Sequence, residues 1–300
     1  MGGVDPRRLR LFLELSRRGS MRAVADELGY TTSTVSQQLA VLAREAGATL
    51  IERDGRRVRL TPAGRRLADH AVTILAALEA ARTDLDPDAE PTGTVRVAGF
   101  ATAVRRSLVP ALAKLSAEHP AVRLRIHEHE PAEALELLAA DEVDLALVYD
   151  YTLAPSALDP ALRTTPLWTA AWGLGMPDPG DAAGGSGADA AAVFARFADA
   201  EWIVNSRNVA DEQVVRTIAS VAGFEPRIAH RADSLELVQD LILARLGVGL
   251  LPVDGRLADG VRLVPLHRPE VELRCFAATR PGREGWAPLR LVMRLLTAAA

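Results

Sequence analysis

Along the first sixty residues, apolar positions recur at helical spacing and are punctuated by glycines. Asp5 and Pro6 form a helix start, a capping carboxylate followed by a residue whose missing N–H costs nothing at the first helical position. Leu9, Phe12, Leu13 and Ser16 then share one face, and Gly19 ends the element. Ser20 opens a second helix whose apolar residues Met21, Val24, Ala25 and Leu28 follow an i, i+3, i+4, i+7 pattern up to Gly29. After the turn GYTT, a third helix is predicted from about Thr32 to Ala46. It carries Val35, Leu39, Leu42 and Ala46 on one face and Ser33, Ser36, Gln37, Ala40 and Arg44 on the other. The period then drops to two. Leu50 and Ile51 lead into an Asp54-Gly55 turn, and Arg57-Val58-Arg59-Leu60 alternates as a strand does, which predicts a small hairpin.

The polar face of the third helix changes the picture. Small hydroxyls, an amide and an arginine approach a major groove closely and can exchange hydrogen bonds with base edges and phosphates. The hairpin beside it bears Arg53, Arg56, Arg57 and Arg59, so helix, turn, helix and hairpin together read as a winged helix-turn-helix. Charge agrees. Residues 1–66 hold 13 Arg against 7 acidic residues, whereas the whole chain carries −4, so a basic head sits on an acidic body. Almost every basic residue is Arg, with Lys114 the sole lysine, and that uniformity beside abundant Ala is read as base composition without functional weight.

The stretch RGSMRAVADELGYTTSTVSQQLAVLAREAGATLIERDGRRVRLTPAGRRL resembles the DNA-binding signature of LysR-type transcriptional regulators. Gly-Ser before the second helix, Val-Ser-Gln-Gln-Leu in the third, Gly47 after it, Arg53 in the wing and Leu-Thr-Pro-Ala-Gly into the next helix all match, while Thr31-Thr32 departs from the usual pattern and leaves base preference open. The resemblance implies that Thr32, Ser33, Ser36, Gln37 and Arg53 contact DNA, with Arg56 and Arg57 beside them on the wing. It further implies a linker helix that pairs two subunits, and a two-lobed domain of the periplasmic-binding-protein type that binds a small effector.

Thr61-Pro62 opens a long helix through about Leu85, in which Leu67, Ala71, Ile74, Leu78, Ala81 and Leu85 are spaced as a heptad seam. A seam on a long helix without a following hairpin partner favours self-association, with Leu67, Ala71, Ile74, Leu78 and Leu85 as the dimerisation residues. The alternative is that the stripe packs on helices of its own head. A dimer or tetramer would read paired half-sites on double-stranded DNA. The Pro-, Asp- and Gly-containing stretch from Asp86 to Gly93 reads as a hinge. The domains are therefore placed at 1–61, 62–90 and 91–300.

From Thr94 the pattern alternates between strands and helices, which predicts a parallel α/β sheet in two halves. The first lobe takes about 91–163 and 267–300, and the second about 164–266. Predicted strands include Thr94–Phe100, Val122–Ile126 and Val143–Tyr149, with a helix around Ser107–Ala117 after the first. Ligands of open α/β sheets gather at the carboxyl ends of strands. The effector candidates are thus Ala101 and Thr102 with neighbouring Phe100, then Glu128, His129, Tyr149, Tyr151, Asn205 and Ser206, with Thr102 a candidate helix cap.

Other motifs carry little chemistry. His127-Glu128-His129-Glu130 would place two imidazoles on one side of a strand, but no further Cys or His cluster completes a metal site, so a solvated strand end is the better reading. Gly247-Val248-Gly249 precedes a strand, whereas a dinucleotide loop must follow one. No cofactor, metal or catalytic group is expected. Hydrophobic residues make up 49% and charged residues 25%, as in an ordinary globular protein, and the single Cys275 fits a reducing compartment. Met1 to Pro6 shows no secretory pattern and no apolar run is long enough for a membrane span, so a cytoplasmic location without membrane partner is expected. RNA polymerase is a candidate partner. Two other functions are open to the residues alone: an enzyme on the same two-lobed fold, and an architectural DNA-binding protein without an effector.

Overall fold

Three short helices, each ended by a glycine, build the head of the computed structural model, which describes residues 3–54, 57–85, 90–178 and 189–298. Helices α1 (Pro6–Arg18), α2 (Met21–Leu28) and α3 (Thr32–Ala46) each start on a side-chain oxygen. Asp5 accepts from the Arg7 N–H at 2.8 Å, Ser20 from Ala23 at 3.4 Å and Thr31 from Thr34 at 3.1 Å. Gly29, at φ 69°, lets α2 give way to α3 across a turn too tight for most side chains. Their apolar faces meet in one core of Leu9, Phe12, Val24, Val35, Leu39 and Leu42. Strands β1 (Ile51–Asp54) and β2 (Arg57–Leu60) pair antiparallel, Ile51 opposite Leu60, as the hairpin reading expects.

Helix α4 (Pro62–Leu85) grows directly from the hairpin. Thr61 fixes its start, since its hydroxyl donates to the Thr49 carbonyl at 2.6 Å and accepts from the Gly64 N–H at 3.0 Å. The heptad seam is divided by packing. Ala71, fully buried with Ala68 and Val72, belongs to the core of its own head, and Leu67 is partly buried against the same cluster. Those two positions of the expected dimer seam are therefore corrected to intrachain contacts, because α1 covers that side of α4. Ile74 is 42% exposed, Leu78 41% and Leu85 87%, so the distal part of the seam remains open.

The body holds one sheet. Parallel strands β3 (Gly93–Gly99), β4 (Val122–Glu128) and β5 (Leu145–Tyr151) form its first part. Between them run α5 (Ala101–Ala103), a π-turn over Val104–Leu108, α6 (Val109–Glu118) and α7 (Pro131–Ala139). The long strand β6 (Arg163–Pro177) carries the chain into the second lobe. There α8 (Ala190–Ala195), β7 (Glu201–Val204), α9 (Ala210–Val221), β8 (Arg227–Arg231), α10 (Leu235–Leu243), β9 (Val248–Pro252) and β10 (Val261–Pro265) follow. The return strand β11 (Val271–Thr279) and helix α11 (Ala287–Ala298) close the first lobe. Strand order is β4-β3-β5-β11-β6-β9-β7-β8, with β10 on β6.

Three sequence expectations are corrected here. The sheet is mixed, not parallel throughout, because β6 and β11 run antiparallel to each other and β11 antiparallel to β5. The helix expected near Ser107 begins at Ala101, its first turns continuing through the π-turn. The third strand is displaced by two residues, so Tyr149 and Tyr151 lie inside β5 and not beyond it. All seven β5 positions are buried, as a strand covered on both faces requires. One apolar core runs across both lobes from Val95 and Leu147 to Trp202 and Val248.

A buried charge cluster joins the body to the head. Arg96 grips Asp144 through Nε at 3.0 Å and Nη2 at 2.7 Å, and Arg283 reaches the same carboxylate at 2.5 Å. Next to it, Arg17 of α1 contacts Asp141 at 2.8 Å, and Arg280 bridges to Asp69 of α4 at 2.7 Å. Burial pushes the Asp144 carboxyl up, but the hydrogen bonds from Arg96 and the charge of Arg283 hold it below the usual carboxylate range.

Candidate functional site

Two surfaces stand apart. The first is the outer face of α3. Val35, Leu39 and Leu42 turn inward, which leaves Thr32, Ser33, Ser36, Gln37, Ala40 and Arg44 exposed without an acidic side chain among them. The cap orders the near end, where the Thr31 hydroxyl meets both Ser33 Oγ and Thr34 Oγ1 at 2.8 Å. On the inner flank, Arg8 of α1 holds α3 through Gln38 at 2.9 Å and Glu45 at 2.5 Å. Arg53 and Arg57 sit on the paired strands of the hairpin, but their side chains, and the whole of Arg56, lie outside the described residues. Arg59 is tied to Glu52 at 2.7 Å across the hairpin.

The second surface is a cleft between the lobes. It lies where β3, β4 and β5 of one lobe and β7 and β8 of the other present their carboxyl ends. Its smaller, partly open chamber of about 160 Å³ is walled by Phe100, Ala101, Thr102, Glu128, Glu130, Tyr149, Tyr151 and Leu273 from the first lobe. Trp172, Val204, Asn205, Asp211, Asp233 and Leu250 close the other side. A wider chamber of about 770 Å³ adjoins it past Arg105, Trp172 and Glu236, reaching Trp168, Gln239 and Pro252. Ion pairs straddle the opening on both sides: Arg105 to Glu236 at 2.7 Å and Arg106 to Asp254 at 2.8 Å on one, Arg207 to Glu133 at 3.2 Å on the other. Such exposed pairs each contribute at most about 1 kcal/mol, so they set the lobes' resting position without locking it.

The chamber's polar groups are linked across the lobes. The Tyr149 hydroxyl donates to Glu130 Oε2 at 2.9 Å, and Glu130 also caps α7. Burial raises the Glu130 carboxyl above its ordinary range, partly offset by the Tyr149 hydrogen bond. Asp211, in the first turn of α9, is pushed up to about 7 by burial, although Tyr151 hydrogen-bonds to it. Asn205 is buried and shapes the loop, accepting from the N–H groups of Arg207 and Asn208 at 2.8 Å each.

Of the residues expected to meet an effector, Ala101, Thr102, Glu128, Tyr149, Tyr151 and Asn205 line the chamber together. His129 and Ser206 stand outside it. His129 faces Glu133 at 3.3 Å, and Ser206 donates its N–H to Asp233 at 2.9 Å, so each braces a loop and not the chamber wall. Thr102 does not cap the helix, because the N-cap position falls on Phe100 and no side chain bonds there. Glu130, Trp172, Asp211 and Asp233 were missed. Glu130 had a legible signal, an acidic residue directly before Pro131 at a helix start, whereas Asp211 and Trp172 enter only because the second lobe folds back over the first.

Comparisons with known proteins match both parts of the chain. Residues 6–65 match the model described as bacterial regulatory helix-turn-helix protein, lysR family, and residues 88–300 match the LysR substrate binding domain. The chain belongs to the LysR family of transcriptional regulators. Among relatives, it is 25% identical over 290 residues to the transcriptional dual regulator GltC of Bacillus subtilis, covering 95% of this chain and 93% of that protein. A probable hydrogen peroxide-inducible genes activator of Mycobacterium avium is 28% identical over 279 residues, covering 92% of this chain and 84% of the relative. In fold, the chain is similar to full-length OxyR C199D of Pseudomonas aeruginosa, with TM-score 0.76, 19% identity, and coverage of 100% of this chain and 95% of that one. This LysR-family regulator is thus a DNA-binding transcription factor with an effector-binding domain, not an enzyme. Among the described residues no helix is long and apolar enough to cross a membrane.

Proposed function

We propose that this regulator reads paired half-sites on double-stranded DNA as a homodimer or homotetramer in the cytoplasm, and that a small molecule in the interlobe cleft alters its placement on DNA. The observation that carries the DNA reading is the exposed face of α3. Thr32, Ser33, Ser36 and Gln37 project from a helix whose opposite side is locked into the head core. Placed in a major groove, these groups offer the hydroxyls and amide that base edges use, while Arg53, Arg56 and Arg57 of the wing follow the backbone. The domain division is 1–61, 62–90 and 91–300, with lobes of about 91–163 plus 267–300 and about 164–266. Ile74, Leu78 and Leu85 form the pairing stripe. RNA polymerase is a candidate partner of the DNA-bound form.

The effector acts on the relation of the two lobes. Weak ion pairs hold the cleft as it stands, so a ligand that bonds both walls shifts the population of closed forms by its own differential affinity. The junction of Arg17, Asp141 and Arg280 gives that movement a direct mechanical contact with α1 and α4. One of the relatives above is named a probable hydrogen peroxide-inducible genes activator, but a reactive thiol is no part of the proposal for this chain. The sole cysteine, Cys275, is buried in β11 and burial pushes its thiol up to about 12, far from a reactive thiolate.

A footprint on the DNA flanking the regulator's own gene tests the reading. Wild type should protect two related half-sites, and Gln37→Ala with Arg53→Ala should lose that protection, the Gln37 change alone costing about 1–3 kcal/mol of discrimination. Binding that falls steeply with salt yet shows no preferred site would refute it.

A further inference from the structure

The smaller interlobe chamber is marked by what it lacks as well as by what lines it. Glu128, Glu130, Asp211, Asp233 and Glu236 contribute carboxylates, and Arg105 is the only basic residue on its described wall, already paired with Glu236. Arg207 neutralises the rim, where it binds Asp233 at 2.6 Å and Glu133 at 3.2 Å. Asp211 is left without a basic partner. Although the residue keeps some exposure at the start of α9, its Oδ1 is sealed from solvent and has no hydrogen-bond partner. The indole N–H of Trp172, only 5% exposed on the same wall, is also unpartnered. Buried polar atoms without partners are rare and costly, and here two of them border one cavity.

Beside these groups runs an aromatic wall. Phe100 and Tyr149 rings lie 4.5 Å apart, Tyr149 and Tyr151 5.8 Å, and Tyr151 and Trp172 5.5 Å. Carboxylates set among π-faces are the chemistry that receives an organic cation, the rings attracting the charge and covering the apolar body. A metal ion fits less well, since among the described residues no group of three or more His, Cys, Asp or Glu could hold one. At about 160 Å³ the chamber has roughly the volume of a cavity that accepts benzene, about 150 Å³.

We infer that this chamber takes a small organic ammonium ion, its nitrogen at Asp211 and its apolar part against Phe100, Tyr149, Tyr151 and Trp172. The inference rests on the effector reading above and names the ligand's class. The groups facing Asp211 are Tyr151 and Tyr149 from β5, Glu130 from the start of α7 and Asp233 from the loop after β8, all acidic or neutral when protonated. A cation brought there favours the ionised carboxylate and displaces its proton. With the carboxyl at about 7, its ionised fraction rises from about one-eleventh at pH 6 to about ten-elevenths at pH 8. An amine that needs the carboxylate therefore binds about tenfold more tightly at pH 8 than at pH 6.

Isothermal titration of the full chain with benzylamine and with 1,4-diaminobutane, against benzoate and benzyl alcohol, tests this. The expected result is heat from an amine, about tenfold stronger affinity at pH 8, and proton release at pH 6.5 that shows as buffer-dependent enthalpy. Asp211→Asn should weaken binding at least tenfold and abolish the pH dependence, and the wild-type proton release stands as the test if that variant does not fold. Amine binding that is independent of pH, or kept by Asp211→Asn, overturns the assignment. Binding of benzoate but of neither amine also overturns it, and a benzoate-induced change in the DNA footprint would leave the effector reading standing. Failure of all four compounds overturns the class, while failure of the effector reading itself would show as a footprint unmoved when the lobes are crosslinked shut.

Discussion

Asp144→Ala probes the charge cluster on which the body meets the head. In the folded chain Asp144 has a side chain 1% exposed and receives two bonds from the Arg96 guanidinium, one from the Arg96 N–H at 2.9 Å and one from Arg283. Removal of the carboxylate leaves two largely buried arginines with Asp141 and, nearer the surface, Glu14 as their remaining acidic neighbours. Breaking a buried pair in this way costs about 3–5 kcal/mol, because the surviving charge stays desolvated. For a body of this size that corresponds to a fall in melting temperature of roughly 10 °C. Arg283 is the less comfortable partner: burial pulls its guanidinium below its ordinary value, and its Nε has no hydrogen-bond partner. Asp144→Ala with Arg283→Met should therefore be more stable than Asp144→Ala alone, recovering at least about 1 kcal/mol. Scanning calorimetry and urea unfolding at pH 7 read both. The pH dependence supplies a sign. A carboxylate held below its usual range stabilises the fold above its unfolded value near pH 4, and that contribution is lost as pH falls through the lower folded value. The gap between wild type and Asp144→Ala should thus be constant from pH 5 to 8 and close only below about pH 4. A single variant within about 1 kcal/mol of wild type, or no recovery on adding Arg283→Met, would refute the reasoning.

Two further outcomes are expected. A Cβ on Gly64 would stand 2.1 Å from the Leu50 carbonyl oxygen, a backbone atom that also accepts from the Thr61 N–H, so Gly64→Ala should destabilise the head by about 1–3 kcal/mol in thermal unfolding of the full chain. Paired substitution Ile74→Glu and Leu78→Glu should shift the chain toward monomer in analytical ultracentrifugation and leave head stability within about 0.5 kcal/mol, since both side chains are more than 40% exposed; unchanged association would place the subunit contact elsewhere.

The head was legible in the sequence because its signals are local. A helix cap, a glycine stop and a three-to-four-residue apolar period each act within one turn, so Asp5, Ser20, Gly19, Gly29 and the buried row Val35, Leu39 and Leu42 sit where the pattern put them. The polar face of α3 follows from the same row by geometry alone. The alternation of strands and helices likewise announced the body, and the rule that ligands collect at strand carboxyl ends brought six of the eight expected effector residues to one chamber. Tertiary structure decided the rest, for reasons that no local window contains. A heptad stripe on α4 does not say which neighbour covers it, and α1 took Leu67 and Ala71 for the head. Alternating elements do not fix strand direction, and β6 and β11 cross both lobes antiparallel because long-range pairing sets their partners. The acidic groups of the cleft lie far apart along the chain. Glu130 and Asp211 acquire their raised affinity for protons only when the lobes meet and exclude water, a property of the assembled space between them and of neither segment alone.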